Sequence, residues 1–382
     1  MSDYPVINWN EVGKEKSARW RSESGTPPPK RVVIADDTMT ADAAYRLACE
    51  GTALLWRGDF QNARQLLQAM ARRADEKPRE RKNKKIPATP VDAFNLHRLA
   101  QSQRARTLGM LLIPFNADHS IPLRRAPDVH QACTDAYGPA TEPYIASLRG
   151  LQGLIGAYEW RKNGVEIPAL GARIHPHYGV FAPIRSEYIG LVNDAPLPRL
   201  CATNSVAFDI GTGTGVLAAV LARRGIKRIL ATDQDPRALA CARGNLTRLD
   251  LAAKVEVLQA DLFPAGRAAL VVCNPPWVPA RPSSPLEHAV FDPESRMLLG
   301  FLSGLAAHLE PGGEGWLILS DLAEHLGLRT RAELLAAIDA AGLKVLGKID
   351  VKPHHPRVSD TSDALHAARA AEITSLWRLA TK

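Results

Sequence analysis

From about Leu200 onward the chain alternates short apolar runs with stretches of helical spacing. VAFDI (206–210), RILAT (228–232), KVEVL (254–258), AALVVC (268–273) and GWLILS (315–320) are strand-length apolar runs. Between them, residues 214–224, 236–249 and 292–309 repeat their apolar positions with a period near 3.6. Strands alternating with helices predict a parallel, doubly wound sheet. KVLGKIDV (344–351) and ITSLWRL (373–379) read as two closing strands.

The front of the chain has a different texture. Residues 1–40 read as irregular, because SGTPPPK (24–30) fits neither helix nor strand. Ala41 to Arg73 has helical spacing broken at Arg57-Gly58-Asp59, which predicts a helical hairpin. That hairpin loosely resembles one tetratricopeptide unit, but no second copy follows. Residues 74–91 read as a linker, and 92–155 as mostly helical with breaks around Pro114, Pro122 and Pro127. In AYEWRKNGVEIPAL (157–170), two alternating runs flank Asn163-Gly164, the signal for a tight β-hairpin. The expected organisation is a mostly helical region over 1–155, a hairpin and lead-in over 156–199, and an α/β domain over 200–382.

Composition narrows the classes. At 382 residues the chain is long enough for two domains. No apolar run reaches the roughly 18 residues of a membrane helix, and the N-terminus lacks a hydrophobic signal stretch. The five cysteines are scattered with no CxxC pair, which points to a reduced, cytoplasmic protein without structural zinc. His175, His177, His354 and His355 have no matching acidic or cysteine spacing, so no metal site is expected. The net charge of +8 is uneven: residues 1–165 carry 25 basic and 18 acidic side chains, or +7. Much of the excess lies in RRADEKPRERKNKK (72–85). That run is either a solvated linker or an electrostatic contact with a ribosomal surface or nucleic acid.

The chemistry concentrates at strand ends. In FDIGTGTGVLAAVLARRG (208–225) a strand ends, Gly211, Gly213 and Gly215 alternate around Thr212, and a helix begins. Such a turn lets the backbone approach a ligand and presents free helix N–H groups. A dinucleotide fingerprint needs glycine at 216, where Val216 stands. Asp233 lies 22 residues after Gly211, at the end of the next strand, where a carboxylate accepts ribose hydroxyls. Gln234 follows it, and Asp235 before Pro236 suits a helix cap. Asp261-Leu262 ends the third strand and Asn274-Pro275-Pro276-Trp277 the fourth. Ligands of open α/β sheets bind at that edge.

The glycine spacing resembles motif I of class I S-adenosylmethionine-dependent methyltransferases, and NPPW resembles the signature of enzymes that methylate planar amino groups. The resemblance implies a Rossmann-like sheet of seven strands, mostly parallel with the last antiparallel, and S-adenosylmethionine as cofactor. It places Asp209 to Gly215 at the methionine end, Asp233 and Gln234 at the ribose, and Asp261 and Leu262 at the adenine. Methylating a planar NH2 requires acceptors for its N–H bonds. Asn274 and the Pro275 carbonyl would supply them, Pro276 would stiffen the loop, and Trp277 would stack on the acceptor.

IHPHYGVFAPIRSEYIGLV (174–192) and FDPESRMLLGFLSGLAAHLEPGG (291–313) further resemble segments of HemK-like protein-glutamine methyltransferases. That family implies a glutamine of a translation protein as acceptor. Trp277 replaces the family's usual tyrosine, and PRPETE is reduced to APIRSE. An exocyclic amine of adenine or guanine in RNA or DNA is the alternative acceptor. A helix-turn-helix regulator is the alternative of another class, resting on 319–342. That stretch lies between two strand runs and reads more simply as a crossover.

Overall fold

The computed structural model describes residues 4–76, 87–184, 186–282, 287, 289–354 and 363–382. Two compact units divide the chain: Met1–Pro87 with Asn95–Glu159, and Ala88–Phe94 with Trp160–Lys382. No helix among the described residues is long and apolar enough to cross a membrane.

The first unit holds the expected helices: α1 (Ala41–Cys49), α2 (Phe60–Asp75), α3 (Pro90–Leu108, entering from the second unit), α4 (His130–Tyr137) and most of α5 (Leu148–Asn163). It also holds a six-stranded sheet absent from the sequence reading. Its strands are β1 (Val6–Glu11), β2 (Lys14–Trp20), β3 (Arg31–Ala35), β4 (Thr52–Trp56), β5 (Leu111–Phe115) and β6 (Tyr144–Ser147), in the order β1-β2-β6-β5-β4-β3. Residues 1–40, read as irregular, supply three of these strands. β1 and β2 pair across Val12-Gly13, both at positive φ, a turn with no Asn or Asp to announce it. The stretch read as a helical hairpin is helix, strand, helix, because TALLW is fully buried and so carries no alternation to set against a helical period. Pro114 lies inside β5 opposite Ile145, two residues past the last pair with β4, so that neighbour does not call for its missing donor. Residues 77–86, most of the basic run, lie outside the described residues.

The expected hairpin is displaced. Asn163 ends α5, Gly164 turns at φ +70, and the strands that pair are β7 (Val165–Ile167) and β8 (Ala172–Ile174). Positive φ at Gly164 serves a helix end as well as a hairpin turn, which is why the signal misled.

The second unit follows the sequence closely. β9 (Val206–Ile210), β10 (Arg228–Asp233), β11 (Val255–Gln259), β12 (Ala268–Cys273), β13 (Leu309–Ser320), β14 (Leu343–Val351) and β15 (Thr374–Thr381) form one sheet in the order β11-β10-β9-β12-β13-β15-β14. β15 is antiparallel to both neighbours. Successive residues face opposite cores. Ala207, Ile229, Ala231, Leu270 and Val272 join the core with α6 (Glu187–Asp194), α7 (Val216–Arg223) and α8 (Pro236–Arg248). Phe208, Ile210, Leu230, Val271 and Cys273 join the core with α9 (Arg296–His308). α7 is apolar all round and buried from Val216 to Ala222, as an interior helix must be. Residues 319–342 hold α10 (Leu322–His325) and α11 (Arg331–Ala340) between β13 and β14. Leu334 and Ile338 of α11 sit in the core, which makes these helices the crossover rather than a reading head. The last helix is α12 (His366–Ala371).

Candidate active site

Register brings the candidate residues to one edge of the sheet. Ile210 pairs with Thr232 on one side and Cys273 on the other. The next residues out are therefore Gly211, Asp233 and Asn274, side by side. Asp233 pairs with Gln259, so Asp261 lies two residues beyond on the outer strand. This is the carboxyl end of β9, β10, β11 and β12, where the strand order reverses.

The glycine turn is shaped from inside by Asp209. Its carboxylate is 1% exposed and accepts from Thr212 Oγ1 at 2.6 Å and from Ala218 N at 3.1 Å. Burial pushes the acid up to about 6 despite those two bonds. Asp209 thus braces the turn and the first turn of α7. Gly211, Gly213 and Gly215 all lie at positive φ. A Cβ at Gly215 would meet Ala242 Cα at 3.2 Å, one at Gly211 would strike Met297 Cε, and one at Gly213 would meet nothing within 4 Å. Gly213 thus faces open space beside the carboxylates.

Asp233 is half-buried, and desolvation raises its pKa. Its Oδ2 accepts from Gly213 N at 3.0 Å and its Oδ1 from Asp235 N at 3.0 Å. Asp235 accepts from Arg237 N at 2.8 Å and caps α8. Asp261 is exposed, accepting from Gln234 Nε2 and, at 3.0 Å, from Arg296 Nη2. Leu262 stands at φ +74, with its carbonyl accepting from Thr232 Oγ1. A leucine held left-handed carries strain.

At the end of β12, Pro275 is buried and Asn274, Pro276 and Trp277 are half-buried. The Trp277 indole Nε1 donates to Asn274 Oδ1 at 2.9 Å. Cys273 is fully buried, and burial pushes its thiol well above the ordinary range. A thiol of that kind stays protonated and inert.

Four contributors carried no assigned role in the sequence reading. Asp292 accepts from Met297 N at 3.0 Å and Leu298 N at 3.1 Å, and so caps α9. Glu294 and Ser295 both stand left-handed, and this corner delivers Arg296 to Asp261 and Met297 to Gly211. Asn245, 1% exposed, accepts from His175 N at 2.8 Å and donates to the Thr214 carbonyl at 3.0 Å. The lead-in segment is thereby tied to the glycine turn. Asp292-Pro293 ahead of an apolar run is a legible cap signal; Asn245 inside a helix carries none. The His175 ring pairs with the Arg161 carbonyl at 2.7 Å, and among the described residues no group of three or more metal-ligating side chains occurs.

Residues 191–330 match the family model described as the Methyltransferase small domain. A ribosomal protein L11 methyltransferase of Pelotomaculum thermopropionicum is 36% identical over 39% of this chain and 41% of its own length. A release factor glutamine methyltransferase of Cereibacter sphaeroides is 33% identical over 44% of this chain and 62% of its own. That of Caulobacter vibrioides is 34% identical over 39% and 55%. The chain therefore spans less than two thirds of these relatives. Sheet order, the antiparallel last strand and the matched segment together define the class I methyltransferase fold, and the HemK-like resemblance holds over the shared part.

Proposed function

We infer that this chain is an S-adenosylmethionine-dependent N-methyltransferase whose acceptor is the side-chain amide of a glutamine in a translation protein, a release factor being the favoured candidate. The observation that carries the reading is the register. Gly211, Asp233 and Asn274 leave three adjacent strands side by side, with Gly213 open to a ligand. The residues suit the cofactor: glycines at the methionine end, Asp233 with Gln234 for the ribose hydroxyls, Asp261 with Leu262 near the adenine. When bound, S-adenosylmethionine supplies an electrophilic methyl group on a sulfonium.

The chain's own work is orientation. An amide nitrogen is a poor nucleophile because its lone pair is delocalised. Asn274 Oδ1 and the Pro275 carbonyl take its N–H bonds, Pro276 stiffens that loop, and Trp277 stacks on the planar group, which aims the nitrogen. The two prolines at 275–276 leave the loop little freedom to lose on binding. The front part of the chain, +7 over residues 1–165, is assigned to docking the acceptor or the ribosome that carries it. A cytoplasmic location follows from such acceptors.

A second acceptor class has its own support. A tryptophan face and a basic front region suit an exocyclic base amine in RNA or DNA. The deciding experiment incubates the protein with methyl-tritiated S-adenosylmethionine and lysate from cells lacking it, then splits the sample between nuclease and protease. Label lost only to protease supports the glutamine reading, and label lost to nuclease replaces it with the base reading. Absence of label in both arms overturns the transferase assignment.

A further inference from the structure

The orientation scheme has a weak point, and the structure shows what secures it. An asparagine amide is nearly symmetrical in shape, and a half-turn about its terminal torsion exchanges the oxygen for the NH2. Only the oxygen accepts an N–H from the acceptor group; the NH2 would repel it. Backbone donors next to an asparagine ordinarily settle such a choice. Here the next two residues are Pro275 and Pro276, which have no N–H. The indole of Trp277 reaches Asn274 instead, 2.9 Å from Oδ1. An indole Nε1 is a donor only, so it pairs with the oxygen and never with the NH2. The indole is itself held, since Trp277 packs against the cores on both faces of the sheet.

We propose that Trp277 is a positioning residue for Asn274, fixing by its indole N–H which end of the amide faces the methyl acceptor. This rests on the N-methyltransferase reading and deepens it. A carbonyl oxygen has two lone pairs. One is taken by Trp277, so Asn274 offers one further bond and the Pro275 carbonyl takes the remaining N–H of an NH2 group. The site then admits an acceptor with two N–H bonds, one for each oxygen. The substitution of tryptophan for the family's tyrosine gains a reason: a phenol O–H both donates and accepts, and so pairs with either end of the amide.

The test separates the N–H from the ring. The full-length chain is prepared with Trp277 replaced by β-(3-benzothienyl)alanine, which keeps the bicyclic shape and lacks the donor, and in parallel as Trp277→Phe. Methyl transfer from tritiated S-adenosylmethionine to unmodified recombinant release factor is followed over a range of cofactor concentrations up to saturation. The benzothienyl variant is expected to lose about tenfold in kcat, the scale of one neutral hydrogen bond, with the cofactor KM within twofold of wild type. Undiminished kcat in that variant overturns the proposal. A readout independent of activity is the Trp277 indole 1H–15N resonance, assigned by its loss in Trp277→Phe. Asn274→Ala is expected to shift it upfield and speed its exchange with water, and an unmoved resonance also overturns the proposal. If the wild-type chain methylates nothing, the functional reading falls while the resonance still decides whether the pair exists.

Discussion

The backbone N–H of Gly213 donates to Asp233 Oδ2 across 3.0 Å, so the turn at the end of β9 and the carboxylate at the end of β10 form one unit. Asp233 also receives Asp235 N, yet burial leaves its pKa raised rather than lowered. Its backbone bonds therefore do not fully offset desolvation, and the carboxylate is poised to gain from further donors such as ribose hydroxyls. Asp233→Ala should weaken S-adenosylmethionine binding by about 10- to 100-fold, since hydrogen bonds to a charged group are worth about 1.5–3 kcal/mol. Isothermal titration calorimetry reads this directly. An affinity within twofold of wild type would remove Asp233 from the cofactor site.

Asp209 gives a pH dependence with a defined sign. Its folded pKa is pushed up to about 6 from an ordinary value of 3.8. The folded state thus favours the protonated acid. Stability from this group is fully present below the unfolded value and is lost as pH rises through about 6. Asp209→Asn abolishes the titration while keeping an oxygen for Thr212 and Ala218. The stability of the variant relative to wild type should therefore rise between pH 4 and pH 7, by at most roughly 3 kcal/mol. Urea unfolding of both proteins across that range measures it, and a pH-independent difference would contradict the assignment.

How much of this was legible depends on what each residue had to announce. The parallel strands of the second sheet could be read because buried parallel strands are continuous apolar runs between turn signals, and the antiparallel β14 and β15 because short β-rich runs close the chain. Asp233, Asp261 and NPPW could be placed because strand ends fix position. The first sheet could not be read: β1 and β2 bury little, with Ile7 and Trp20 their only fully buried residues, and β4 is buried without alternation. Asn245 stayed hidden because its partners, His175 and Thr214, are distant in sequence and meet only in the fold. Left-handed Glu294 and Ser295 were hidden too, since neither residue type signals positive φ.

Two of the glycines should separate folding from binding. Both stand left-handed, at φ +54 for Gly213 and +80 for Gly215. An alanine in that conformation costs about 1–2 kcal/mol. Gly213→Ala meets open space, so it should fold with a loss near that value while its methyl group intrudes on the cofactor. Gly215→Ala also presses on the Ala242 backbone at 3.2 Å, so its melting temperature should fall further. Thermal unfolding with and without S-adenosylmethionine tests both. Cofactor should stabilise wild type but not Gly213→Ala, and equal ligand-induced shifts would place the cofactor elsewhere.

Asn245 couples the lead-in segment to the turn, and its bonds to His175 and Thr214 can be cut in order. Asn245→Asp keeps an oxygen for His175 N but loses the donor to the Thr214 carbonyl and brings a buried charge near it. Asn245→Ala loses both bonds and leaves a buried N–H and C=O without partners, at about 1–3 kcal/mol each. The alanine variant should be destabilised by about 2–5 kcal/mol, the two losses adding incompletely because the partners share one side chain. In Asn245→Asp the Thr214 peptide loses its anchor behind Gly213 and Gly215, so cofactor affinity should fall about tenfold. The His175 amide should stay protected from hydrogen exchange in the aspartate variant and become exposed in the alanine variant. Equal protection in both would show that the lead-in segment is held by other contacts and that Asn245 acts on the glycine turn alone.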